Sequence, residues 1–61
     1  MKRLMNVKEA SEFLNINPYT LYNWVSQKRI PYVKLGRRTL FDLNDLEEFI
    51  SSNKVSIVNY D

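Results

Sequence analysis

The chain has 61 residues, 44% of them apolar or aromatic, nine Lys or Arg against seven Asp or Glu for a net charge of +2, and neither Cys nor His. That length allows one small domain, burying only about 60% of the surface its unfolded form exposes and stable by a few kcal/mol, while disulfides are excluded and a zinc site would have to rely on carboxylates, which zinc rarely accepts alone. No apolar run approaches the roughly 18–20 residues that span a bilayer, and the Met-Lys-Arg start runs into Glu9 and Glu12 rather than a signal-peptide stretch, so the chain reads as soluble, unexported and cytoplasmic, with no membrane partner.

Asn6-Val7-Lys8-Glu9 is a capping box, in which the Asn6 side chain accepts from the amide of Glu9 and Glu9 reaches back to the amide of Asn6. Val7, Ala10, Phe13 and Leu14 then form an apolar stripe that predicts a helix of about two turns. Asn15-Ile16-Asn17-Pro18 is a break followed by a fresh start, with Asn17 as N-cap and Pro18 at the first helical position, where its missing N–H is not needed. The second helix runs from Pro18 to about Gln27, with Leu21, Trp24 and Val25 on one face and Tyr19, Tyr22, Asn23 and Ser26 on the other. Two short helices joined by about three residues, with Ile16 to plug the angle between them, suit a helix-turn-helix.

Ile30-Pro31 forces an extended backbone. Tyr32-Val33-Lys34-Leu35 then alternates, Gly36-Arg37-Arg38 supplies a turn, and Thr39-Leu40-Phe41 returns, which predicts a two-stranded β-hairpin with two arginines at its tip. A third helix opens at Asp42, with Asp45 three residues on and Leu43, Leu46, Phe49 and Ile50 as its buried stripe, and its acids sit where the helix dipole favours them. The fold class is mainly α, three helices plus the hairpin, with the domain over residues 1–53. Residues 54–61 form a tail with Val55, Ile57 and Val58 but no helical stripe, for which disorder and a strand against a partner are both open.

The core is expected to comprise Phe13, Leu14, Leu21, Trp24, Val25, Val33, Leu35, Phe41, Leu46, Phe49 and Ile50. On that reading, truncating Trp24 costs roughly 3–5 kcal/mol.

Charge is segregated along the chain. No acid occurs from Phe13 to Phe41, while Lys28, Arg29, Lys34, Arg37 and Arg38 all lie there, a sign asymmetry that suits a polyanion. Catalysis is not expected: there is no His or Cys and no glycine-rich phosphate loop, and the serines have no base to activate them. No cofactor and no small-molecule substrate is expected either.

The pieces Asn6-Val7-Lys8-Glu9-Ala10-Ser11, Leu14 to Tyr22, Ile30-Pro31, Lys34-Leu35-Gly36-Arg37-Arg38, Phe41 and Asp45 to Ile50, in this order and spacing, resemble the excisionase-type helix-turn-helix family, which is related to the DNA-binding domain of MerR-type regulators. The resemblance covers about residues 4 to 50. It implies a winged helix-turn-helix of phage, plasmid, transposon or bacterial chromosomal origin. Such proteins bind double-stranded DNA as recombination directionality factors, which bend DNA and help an integrase excise, or as small transcription regulators. It also implies that the second helix enters the major groove and the hairpin wing lies along the backbone or the minor groove.

Three positions depart from the family pattern. Lys28 stands where the family usually has glycine, so a left-handed turn there would cost about 1 kcal/mol. Tyr22 and Asn23 stand where relatives often carry arginine, and Leu40 replaces a basic or polar wing residue. Leu40 is either exposed for a partner or a core residue in a shifted register.

Arg37 and Arg38 are the leading functional residues, because guanidinium groups bind phosphate oxygens bidentately or enter a narrow, negative minor groove. Lys28, Arg29 and Lys34 are further phosphate contacts. Tyr19, Thr20, Tyr22, Asn23 and Gln27 are the candidates for reading bases, with Asn suited to adenine and Thr or Tyr to thymine methyls. One recognition helix contacts too little for high affinity, so tandem binding or self-association on DNA is expected. The rival reading is a protein-interaction module that binds an integrase or another regulator, with DNA contact secondary.

Overall fold

The computed structural model describes residues 3–57. The order of elements is β1 (Leu4–Met5), α1 (Val7–Leu14), α2 (Pro18–Ser26), β2 (Val33–Leu35), β3 (Arg38–Asp42) and α3 (Leu43–Ser52). The three expected helices and the hairpin form, and a third strand joins the sheet in the antiparallel order β1-β3-β2. Two residues are too few to show alternation, so β1 leaves no mark in the sequence.

The helix boundaries follow from their caps. Asn6 Oδ1 accepts from the Glu9 amide at 2.8 Å, and Glu9 Oε1 accepts from the Asn6 amide at 3.0 Å, closing the capping box on α1. Asn17 Oδ1 accepts from the Tyr19 amide at 2.8 Å ahead of Pro18, which opens α2. Asp42 does two jobs at the junction of β3 and α3. Its Oδ1 accepts from the Asn44 amide at 2.8 Å, and its Oδ2 accepts from Arg3 Nε at 3.0 Å. The Leu43 amide also donates to the Arg3 carbonyl at 2.7 Å, so the N-terminal strand is tied to this junction by both backbone and side chain.

Each helix of the helix-turn-helix ends in a left-handed turn. Asn15 has φ +57°, its amide donates to Glu12 and the Ile16 amide donates to Ser11. Lys28 has φ +57°, its amide donates to Val25 at 3.0 Å and the Arg29 amide donates to Trp24 at 2.8 Å. Both pairs of bonds are the 5→2 and 6→1 bonds of a Schellman turn, which satisfies carbonyls the helix leaves open. Asn visits this backbone region readily; Lys does so at a cost of roughly 1–2 kcal/mol. The turn at Lys28 therefore keeps the geometry that glycine would supply.

Met5, Ala10, Leu21, Ile30, Leu40, Phe41 and Leu46 are the buried apolar residues, and Phe41, Leu21 and Leu46 are the largest with no exposure. All of these buried apolar residues except Leu40 form one cluster, against which Phe13, Leu14, Trp24, Val25 and Phe49 pack while only partly buried. One open question is settled and two expectations change. Leu40 is buried rather than exposed: β3 is the central strand, and Leu40, 9% exposed, lies on the face opposite that of Phe41. Leu35 is 52% exposed, because the short strand β2 carries it past the edge of the core near the hairpin tip. Ile50, at 39% exposure, lies on the rim of the α3 stripe. Of the tail, residues 54–57 have no regular structure and are exposed; residues 58–61, including Val58, lie outside the described residues. No helix among the described residues is long and apolar enough to cross a membrane.

Phe41→Ala, which empties a fully buried site, is expected to cost about 3–5 kcal/mol. That is comparable with the stability of so small a domain, and the variant should lack a cooperative urea transition. Trp24→Ala, at a half-buried site, should weaken the domain less and leave a measurable transition at low temperature. The Asp42 carboxyl is held below its ordinary 3.8, chiefly by the hydrogen bond from Arg3 and also by the Asn44 amide, against the opposing effect of burial. A depressed acid contributes stability that is present above its unfolded value and fades as pH falls through the lower folded value. The urea midpoint of the native chain should therefore drop between pH 6 and pH 3 by more than that of Asp42→Asn; equal drops would remove Asp42 from the acid response.

Candidate nucleic-acid interface

Helix α2 turns one stripe outward. Leu21 is buried, while Tyr19, Tyr22, Asn23 and Ser26, at the spacing of a single helix face, are exposed, Tyr19 at 80% and Tyr22 at 54%. Thr20 is half-buried at the edge of this stripe, and Gln27, the C-cap, is exposed.

The hairpin turns its tip outward. Its rungs are Val33 opposite Leu40, Lys34 opposite Thr39 and Leu35 opposite Arg38, leaving Gly36 and Arg37 as a two-residue loop. Gly36 has φ +61°, the positive first position that a type II′ hairpin turn requires. Arg37 and Arg38 are exposed and make no ion pair or hydrogen bond among the described residues. Two adjacent guanidinium groups with no acid paired to them among the described residues are a surface suited to an anion.

Of the α2 stripe, Tyr22 meets the hairpin, while Tyr19, Asn23 and Ser26 lie outside the shared concavity. That concavity, of about 430 Å³, is lined by Tyr22 from α2, by Arg37, Arg38 and Thr39 from the hairpin, and by Asn6, Val7 and Lys8 from the start of α1. Lys34 belongs to the same side, since its Nζ donates to Thr39 Oγ1 at 3.4 Å. Asn6 and Lys8 escaped the sequence reading because Lys8 looks like an ordinary solvent-facing helix residue; only the packing of α1 beside the hairpin brings it to the arginines.

The other two expected phosphate contacts lie differently. Lys28 Nζ donates to Tyr32 Oη at 2.6 Å and stands 5.1 Å from the centre of the Tyr32 ring. This contact holds the Tyr32 hydroxyl below its ordinary pKa, first through the hydrogen bond and then through the charge of Lys28. The pair bridges the turn after α2 to the start of the hairpin. Arg29 lies over the Trp24 ring at 5.9 Å and lines a separate depression with Trp24, Phe49, Ser52 and Asn53. Trp24 and Phe49 meet there with ring centres 5.7 Å apart. The concavity thus gathers Tyr22, Arg37 and Arg38 but not Arg29.

Residues 4–54 match the family profile described as a helix-turn-helix domain. No curated protein and no solved structure matches the chain.

The turn at Lys28 sets the angle at which α2 hands over to the hairpin, and its strain is measurable. Lys28→Ala keeps the left-handed backbone and loses the Tyr32 contact, whereas Lys28→Gly loses the contact but relaxes the backbone. The glycine variant should be the more stable of the two by about 1 kcal/mol in urea melts. Equal stability would show that the turn carries no left-handed strain.

Proposed function

As the chain belongs to the helix-turn-helix domain family, whose members bind double-stranded DNA, we propose that it is a sequence-selective DNA-binding protein of the excisionase type. It acts as a recombination directionality factor or as a small transcriptional regulator, by binding alone, with no catalytic step and no cofactor. The observation that supports this reading best is the concavity in which Tyr22 of α2 meets the hairpin arginines, which have no partner among the described residues.

In this reading Arg37, Arg38, Lys34 and Lys8 contact phosphates, and Tyr19, Tyr22, Asn23 and Gln27 face the base edges, with Thr20 at the margin. Phosphate contacts position the protein and base contacts select the sequence. Four lysine and arginine contacts correspond to a slope of about −3.6 in log affinity against log salt on duplex DNA, at about 0.9 per contact. Lys28 and Arg29 add to this only if they leave Tyr32 and Trp24.

A second reading, docking onto an integrase or another regulator, is favoured by a separate apolar groove. It has a volume of about 310 Å³ and is lined by Leu14, Ile16, Trp24, Phe49, Ile50, Asn53 and Lys54, none of which lines the concavity. The two roles are compatible on one molecule, and tandem copies on neighbouring DNA sites would enlarge an interface that one copy leaves small.

Chemical-shift titration with duplexes at two salt concentrations tests the reading. The largest changes should fall on α2 and the hairpin tip. Arg37→Ala should weaken binding to all sequences alike and flatten the salt slope by about 0.9. Asn23→Ala should lower the preference for the selected site by about 1–3 kcal/mol and leave the slope unchanged. Changes confined to the Trp24 groove would favour the second reading instead.

A further inference from the structure

We propose that Leu35 is an apolar wedge that enters the minor groove and kinks the duplex, with Arg37 and Arg38 holding the groove around it; this rests on the DNA-binding reading above. Alternation places Leu35 on the sheet face of Val33 and Leu40, opposite that of Phe41, and it is 52% exposed and takes no part in the core cluster. In the sheet register it forms the last rung before the loop, directly opposite Arg38. A leucine in that position adds little to the core of the free protein.

The tip around it is slim. Beyond the Leu35–Arg38 rung lie only Gly36 and Arg37, and a Cβ added to Gly36 would meet no atom within 4 Å. The glycine is therefore present for its positive φ and for its lack of bulk, not because neighbours crowd it. The minor groove is only about 6 Å wide, so a two-residue tip enters where a broader loop would not. On one side of that tip stands a large apolar side chain, and beside it two guanidinium groups without partners among the described residues.

This combination matches the physical requirements for bending DNA from the minor groove. Arginines in their role as phosphate contacts hold the backbones on either side of the groove. An apolar side chain pushed between base steps replaces the stacking it breaks with contacts of its own and kinks the helix by about 20–90°. The division of labour is then clear: the arginines supply affinity and its salt dependence, and Leu35 supplies deformation.

The test uses duplexes of about 30 base pairs, several times shorter than one persistence length, selected from a random pool by the full chain and labelled at both ends for energy transfer. The native chain should shorten the end-to-end distance. Leu35→Ala, which should melt like the native chain because the site is exposed, should lose at least about half of the bend. Its binding should weaken by less than about tenfold, or 1.4 kcal/mol, with an unchanged salt slope. Leu35→Met should retain the bend, and Arg37→Ala should retain the bend in each bound complex while flattening the slope. Full bending by Leu35→Ala, or a straight duplex under the native chain, overturns the wedge and leaves DNA binding standing. Failure to select any duplex overturns both.

Discussion

The burial of Phe41 holds the molecule together. It sits in the central strand with no exposed surface; β1 and β2 pair with that strand on either edge, and α1 and α3 pack against it. The next residue, Asp42, caps α3 and receives Arg3, so the same strand that carries the core also fixes where the third helix begins and where the N-terminus is tied. Because a domain of this size has only a few kcal/mol of net stability, there is no second core to compensate for loosening here. The relative placement of α2 and the hairpin tip is thus as secure as the packing around one phenylalanine.

From that centre the two left-handed turns set the angles. Asn15 closes α1 and sends Ile16 back into the core, while Lys28 closes α2 and directs the chain through Ile30 toward the hairpin. Asparagine is a comfortable occupant of such a turn and lysine is not. Lysine nonetheless brings a contact that glycine lacks: its ammonium reaches Tyr32 at the root of the hairpin. Strain in the turn is offset by a strut from α2 to the wing, which fixes the angle between them.

Much of this was legible in the residues. Capping residues announce helix starts because they satisfy amides the helix cannot, and Asn6, Asn17 and Asp42 each do so where the sequence places them. The hairpin was legible in its glycine and its alternation. Exposure on the hairpin was not. Leu35 and Leu40 look equivalent in a pattern of period two, and their fates diverge because β1 makes β3 the central strand while β2 remains an edge. Likewise Arg29 and Lys8 look interchangeable as surface cations, yet one lies on Trp24 and the other faces the arginine-bearing concavity.

By itself, the sequence determined the inventory: three capped helices, a hairpin with arginines at its tip, and a basic middle free of acids. These follow from interactions between near neighbours, which are written in local spacing. The tertiary structure alone decided which cations share a surface, which leucine is wet, and that the start of α1 joins the arginine-bearing concavity. Those outcomes depend on how elements far apart in the chain pack around β3, and no local pattern carries that information.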